Sequence, residues 1–311
     1  MPRSRASGPS NKGATRSAGP IGLLAGWGEF PLEVARSIKA QGHPLICIGL
    51  RGHADPELQK ICDTFRWTGV ARIGSQIRFF RRHGVREAIM AGKVFKARLM
   101  YHRFGWLHLV PDLRCLRAFY PYFISGTRDR KDDTLLKAVV DEYAKDNIAF
   151  RPASEMVPAL LLDEGHWSGP PLSESQAKDV AFGWEIAKNI GQLDIGQSVA
   201  VKSQSCLAVE AVEGTDACIR RAGELCSQGG FVIIKVAKPQ QDMRFDVPTI
   251  GVGTLESMRA AGATLLVVEA EKTIIVDRDR VFKLAKQWGI SILAIREDQT
   301  FGLNSPAKES A

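Results

Sequence analysis

No stretch of this sequence holds the run of about twenty apolar residues needed to span a bilayer, so any membrane association has to be peripheral. C-x-x-C pairs are missing too. The six cysteines, at positions 47, 62, 115, 206, 218 and 226, have no histidine nearby at metal-ligand spacing, and most sit inside apolar runs such as Leu45-Ile46-Cys47-Ile48-Gly49-Leu50. That pattern favours reduced core thiols in a cytosolic protein over zinc ligands or disulfides. Acidic residues are absent from residues 1–19, where Arg3, Arg5, Lys12 and Arg16 supply four of the net +8 charges and leave the body at +4. With no periodicity and no apolar core for a secretion signal, residues 1–19 read as a disordered basic tail, a transit peptide being the weaker alternative. The body has no concentrated basic stripe. Its modest positive charge fits an anionic ligand or a membrane surface better than duplex nucleic acid, and no nucleic-acid partner is expected.

What the chain does have is enough material for two cores. At 311 residues, 45% hydrophobic and 24% charged, it reads as a soluble globular protein of two α/β domains. Ile21 to Ala25 is a short apolar strand, followed by Gly26-Trp27-Gly28-Glu29-Phe30-Pro31, a helical stretch from Leu32 to Ala40 and a buried strand from Leu45 to Leu50. This is a Rossmann-like βαβ start. A dinucleotide fingerprint would carry a third glycine where Pro31 stands, and an acid would end the second strand where Gly49-Leu50-Arg51 stands. Both gaps argue against a nicotinamide-dependent oxidoreductase. Gly26 and Gly28 ahead of a helix N-terminus still suit a phosphate or diphosphate, because bare amides and the helix dipole point at it. A tight strand-to-helix turn is the structural alternative.

Glu57 to Trp67 and Gly74 to His83 read as a strand and a helix, and Ala88 to Val94 as another buried strand with Lys93 at its end, where ligands of open α/β sheets bind. From Phe95 to Lys131 the texture changes to eight aromatics and eight Lys or Arg residues against two acids. Such a segment packs an acyl chain, meets a membrane interface or stacks bases, or else is an ordinary helical subdomain. Asp132 and Asp133 open a helix running to Ala144, a position the helix dipole alone explains. Pro152 to Pro171 reads as a connection ahead of a helix behind a Ser173/Gln176 capping box. The expected domains are therefore 20–150, a linker and connecting helix over 151–192, a second α/β domain over 193–298, and a tail over 299–311.

Charges crowd most closely against apolar runs between Val209 and Gly251. Gly214-Thr215-Asp216 is the kind of turn that opens a helix, with Thr or Asp as its cap. Phe231 to Val236 then reads as a buried strand that delivers Lys235, Lys238, Gln241, Asp242, Arg244 and Asp246 onto a polar loop closed by Pro248 and Thr249. Carboxylates facing cations are what a metal-assisted phosphoryl site requires, acids holding a divalent ion or orienting water and cations neutralising phosphate oxygens. On their own, these residues support a diphosphate-sized anionic ligand between two α/β domains, with a metal ligand or general base drawn from Asp216 and its neighbours.

The strings Ala208 to Ala217 (A-V-E-A-V-E-G-T-D-A), Lys238 to Gly251 (K-P-Q-Q-D-M-R-F-D-V-P-T-I-G) and Val267 to Ala270 (V-V-E-A) resemble the LpxI family, the UDP-2,3-diacylglucosamine pyrophosphatases of lipid A biosynthesis. The resemblance runs from Ile21 to Ile295, includes the G-x-G-x-x-P loop, and places a G-D-D-x-L-L string where this chain has Lys131 ahead of Asp132 and Asp133. It implies cleavage of UDP-2,3-diacylglucosamine to lipid X and UMP by attack of water on the sugar-linked phosphorus. The implied cofactor is Mg²⁺, with Mn²⁺ as the alternative, and the implied location is the cytoplasmic face of the inner membrane, with a homodimer left open. Within it Asp216 would ligate the metal or orient water, Glu213 would be a second ligand or base, and Asp242 and Asp246 would complete the acidic shell. Lys235, Lys238 and Arg244 would stabilise charge on phosphate oxygens, Gly26, Gly28 and Lys93 would hold the nucleotide side, and Thr215, Gln241 and Thr249 would hydrogen-bond the substrate. The rival class is a nucleotide- or lipid-binding protein without hydrolase activity, which titration with UDP, NAD and a short RNA would help separate.

Overall fold

The computed structural model describes residues 19–94, 110–123 and 132–297. Five parallel strands form the first sheet, β1 (Ile21–Ala25), β2 (Leu45–Leu50), β3 (Thr64–Thr68), β4 (Glu87–Ala91) and β5 (Ala149–Phe150), in the order β3-β2-β1-β4-β5. β1 and β2 are buried along their whole length because helices cover both faces. Leu23, Ala25, Leu45 and Cys47 pack on one side with the Phe30–Ala40 helix. Leu24, Ile46 and Ile48 pack on the other with Ile73, Ile77 and Phe80 of the Ile73–Arg82 helix. The strand order reverses between β1 and β4, so the loops after these two strands leave the sheet side by side at the switch point where such folds bind ligands.

The second sheet has six strands, β6 (Gly165–Ser168), β7 (Ser198–Lys202), β8 (Ser205–Val209), β9 (Val232–Lys235), β11 (Leu265–Glu269) and β13 (Ser291–Ile295), in the order β6-β13-β11-β9-β7-β8. The β13, β11 and β9 core is parallel, while β7, β8 and β6 pair antiparallel to their neighbours. Val180, Trp184 and Ala187 of the Glu174–Gln192 helix seal one face. The opposite face is covered by three helices, Thr215–Leu225, Val252–Ala261 and Arg278–Trp288, through Ile219, Leu255 and Val281. The Ser173/Gln176 capping box forms as expected, the Ser173 hydroxyl accepting from the Gln176 N–H at 3.2 Å.

Two expectations need correction. The stretch expected as one strand from Glu57 splits into a helical turn, Leu58–Ile61, and β3, because the Asp55 carboxylate takes the Glu57 N–H at 2.7 Å and turns the chain first. The expected linker supplies β6, the edge strand of the second sheet, with Trp167 stacked on Phe282 at 5.4 Å. Part of the aromatic, basic segment follows the helical alternative, as a helix, Leu113–Phe123, tied to the Asp132–Ala144 helix by Arg114 and Glu142 at 3.0 Å. Phe95, Phe104, Trp106 and Lys131, and the side chains of Asp132 and Asp133, lie outside the described residues.

The two sheets share apolar material. β10 (Thr249–Ile250) pairs parallel with β12 (Ile274–Ile275), and Ile274 and Val276 belong to the same buried cluster as Leu23 and Leu32 of the first domain. The Glu33 carboxylate accepts the Asp277 N–H across this seam, and burial raises its pKa above the usual carboxylate range despite that bond. Ile274 is fully buried, so Ile274→Ala should cost about 2–5 kcal/mol and lower one cooperative melt. Two separated transitions in urea, the first domain unaffected, would show that the halves do not depend on each other.

Candidate active site

β8 and β9 run the same way, each antiparallel to β7 between them, so their carboxyl ends lie together. There Glu210 follows β8, its N–H bonded to the Ser198 carbonyl at 2.9 Å, and Lys235 ends β9 opposite Ser198. Both are buried, at 7% and 6% exposure. The Lys235 ammonium donates to the Thr215 hydroxyl and to the Thr249 carbonyl, each at 3.0 Å. Thr215 in turn donates to the Glu210 carboxylate at 2.9 Å. Thr215 is the first residue of its helix, and Gly214 before it, at φ +85°, is the N-cap. The Thr215 hydroxyl, a substrate hydrogen-bonding candidate with a helix cap as the alternative, makes no cap and serves Lys235 and Glu210.

Lys93 reaches this place from the first domain. Its backbone and that of Trp27 bond to each other in both directions, at 2.8 and 2.9 Å, locking the loops after β1 and β4 together. Burial pushes the Lys235 ammonium below the usual lysine range; Glu210 opposes that, Lys93 adds to it, and Asp216 and Asp246 oppose it. The carboxyl edges of both sheets thus meet around one buried cation, with a second cation from the other sheet within electrostatic reach.

Other expected residues stand apart from that centre. Glu213 is held by Arg221 at 3.0 Å, and Asp242 by Arg244, whose Nε donates at 2.8 Å and holds the carboxyl below its usual range. Lys238 pairs with Asp194 at 2.7 Å, and the Gln241 side chain accepts the Lys238 N–H at 2.9 Å. These contacts shape the loop and hold the Glu213 and Asp242 carboxylates on arginines. Among the described residues no three His, Cys, Asp or Glu side chains are grouped to hold a metal ion, so the expected set of Asp216, Glu213 and Asp242 does not fit one. Asp216 and Asp246 make no hydrogen bond or ion pair through their carboxylates with any described residue, and Asp216 is exposed. The Thr249 hydroxyl turns back to the Val247 carbonyl at 2.9 Å.

Two anchors were not assigned from sequence. One is Glu210, which stands in the acidic run three positions ahead of Glu213 and was given no role of its own. The other is Glu269, at the end of β11, which accepts from Lys188 at 2.9 Å, Lys272 at 2.7 Å and the Ala237 N–H at 2.8 Å. Burial pushes its carboxyl up, but these bonds outweigh that and hold it below the usual range. Glu269 thereby fixes the start of the loop that follows Lys235.

A family profile of the LpxI N-terminal domain matches residues 20–160, and one of the LpxI C-terminal domain matches residues 163–293. The chain belongs to the LpxI family. One curated relative is the UDP-2,3-diacylglucosamine pyrophosphatase LpxI of Caulobacter vibrioides, 33% identical over 282 residues, covering 88% of this chain and 97% of that protein. The LpxI boundary between residues 160 and 163 falls just ahead of β6, in keeping with the pairing of that strand in the second sheet.

Gly26 has a reason inside the fold. A Cβ there would lie 2.7 Å from the Lys93 carbonyl oxygen, inside the Trp27/Lys93 bridge. Gly28 at φ +109° has open space around it. Gly26→Ala should therefore destabilise the protein by about 1–3 kcal/mol, read as a lower melting temperature, with UDP affinity of the folded fraction unchanged. A normal melt with weakened UDP binding would instead assign Gly26 to ligand contact.

Proposed function

We propose that this chain hydrolyses UDP-2,3-diacylglucosamine to UMP and 2,3-diacylglucosamine 1-phosphate (lipid X), a step of lipid A biosynthesis. The observation that supports this most is the convergence of Lys235 and Lys93 from two sheets. Lys235 is held in a fixed buried position while Lys93 acts on it from the other sheet, and two cations where the sheets meet suit the charge of a diphosphate. Membership of the LpxI family and the name carried by the Caulobacter relative supply the substrate.

In this reading the diphosphate lies with its oxygens on Lys235 and Lys93. Water attacks the sugar-linked phosphorus, and the bond from that phosphorus to the bridging oxygen breaks. UMP leaves with the bridging oxygen and its electron pair, and the attacking water gives up its proton to a carboxylate. Asp216 suits that role, being exposed, unpaired among the described residues and close enough for its charge to act on Lys235. Asp246 backs it from the loop. A divalent ion, Mg²⁺ with Mn²⁺ as the alternative, would neutralise charge on the diphosphate, although the described carboxylates are not grouped to hold one.

The protein meets its lipid substrate from the cytoplasmic side as a peripheral protein, the aromatic and basic residues 95–131 being the contact. No helix of the described residues is long and apolar enough to cross a membrane. Flotation with anionic liposomes should show weak, salt-sensitive binding, and its absence at low salt would remove the membrane contact.

Purified protein incubated with UDP-2,3-diacylglucosamine in mixed micelles should release UMP, and EDTA with Mg²⁺ or Mn²⁺ add-back tells whether a metal is needed. No UMP with either metal sinks the hydrolase reading. Asp216→Ala should lower kcat by ~10² to 10⁴ while UDP affinity persists. A folded variant with near-normal kcat would remove Asp216 from the chemistry.

A further inference from the structure

We propose that Glu210 is a positioning residue that keeps Lys235 charged and aims its ammonium at the substrate diphosphate, acting through the Thr215 hydroxyl. The inference rests on the reading of the cleft as a pyrophosphatase site and assigns the one buried carboxylate in it that has no role so far. One Glu210 oxygen accepts from Thr215 at 2.9 Å; the other is buried and has no hydrogen-bond partner. Buried polar atoms are rarely left that way, and a neutral amide or hydroxyl at this position could satisfy Thr215 equally well. What a carboxylate adds is charge. The only described group it can balance through Thr215 is Lys235, and the two do not touch, because the Thr215 hydroxyl accepts from one and donates to the other.

The same contacts set the direction of the ammonium. A lysine has three N–H donors. Thr215 and the Thr249 carbonyl take two of those on Lys235, at 3.0 Å each, and the third has no partner among the described residues. That third N–H is the one left for a phosphate oxygen. The backbone holds Glu210 in place: its N–H bonds to Ser198, and a Cβ on Gly196 would lie 2.0 Å from the Glu210 carbonyl oxygen, so β7 can approach only with glycine there. Four charged groups act on the Lys235 ammonium. Glu210 after β8, Asp216 on the helix and Asp246 on the loop favour the charged form, whereas Lys93 after β4 opposes it together with burial. Glu210 is the largest of the favourable contributions.

The test follows the Lys235 side chain directly, by NMR of ¹³C-lysine-labelled protein titrated with pH, its signal identified by loss in Lys235→Arg. Glu210→Gln keeps the acceptor for Thr215 and removes the charge. Its Lys235 midpoint should fall by about one pH unit below that of the unaltered protein, and Glu210→Asp should recover most of the difference. For UMP release, kcat of Glu210→Gln should drop about tenfold or more at pH 8, with a smaller change in KM and the alkaline limb moved to lower pH. An unchanged Lys235 midpoint in folded Glu210→Gln overturns the inference whatever the activity. Should that variant fail to fold, Thr215→Val, which severs the bridge, is read in the same way. If the unaltered protein releases no UMP, the hydrolase reading falls, while the lysine titration still decides whether Glu210 holds the charge.

Discussion

An ammonium taken out of water loses several kcal/mol of solvation unless protein groups replace its hydration shell. Lys235 meets that condition at the end of β9 with a hydroxyl, a carbonyl and a carboxylate one bond further away. Much of the local backbone follows from it. Thr215 has to begin its helix at the height of Lys235, which the left-handed Gly214 allows, and β7 has to come within touching distance of Glu210, which Gly196 allows. A charge placed this way cannot relax towards solvent. Its field acts on whatever enters between the sheets.

The rest of the acidic and basic stretch does quieter work. Asp242 with Arg244 and Lys238 with Asp194 are partly exposed pairs worth at most about 1 kcal/mol each in stability, and they tie the loop after Lys235 to itself and to Asp194. Glu269 holds the start of that loop from below through the Ala237 N–H, and Lys188 and Lys272 keep its carboxylate charged. Removing one partner of such a buried pair is costly because the other stays behind uncompensated.

The layered α/β architecture was legible because its strands are near-continuous apolar runs, as in Leu45 to Leu50 and Leu265 to Glu269, and its helices carry one apolar stripe. The crowding of Lys235, Thr215 and Asp216 was legible from charge density beside a buried strand. What the sequence could not show was pairing. Glu213 and Asp242 look like Asp216 in one dimension, and only the fold shows that Arg221 on a helix and Arg244 on the same loop are paired with them. The role of Glu210 was illegible for the opposite reason, since its burial depends on a strand register set by Ser198. β6 was hidden because four residues between glycine and proline carry no readable period.

The seam at Ile274 and Val276 bears on how such a chain can be inherited. Residues just past the first half, Leu161 and Leu162, bond back to Ile274 and Thr273, and those lie beside residues packed into the core of the first sheet. A protease nick between residues 160 and 163 would leave two fragments still clasped together. Neither half could be shuffled onto a foreign neighbour without carrying a wet apolar face along, so the two halves are obliged to diverge as a matched set.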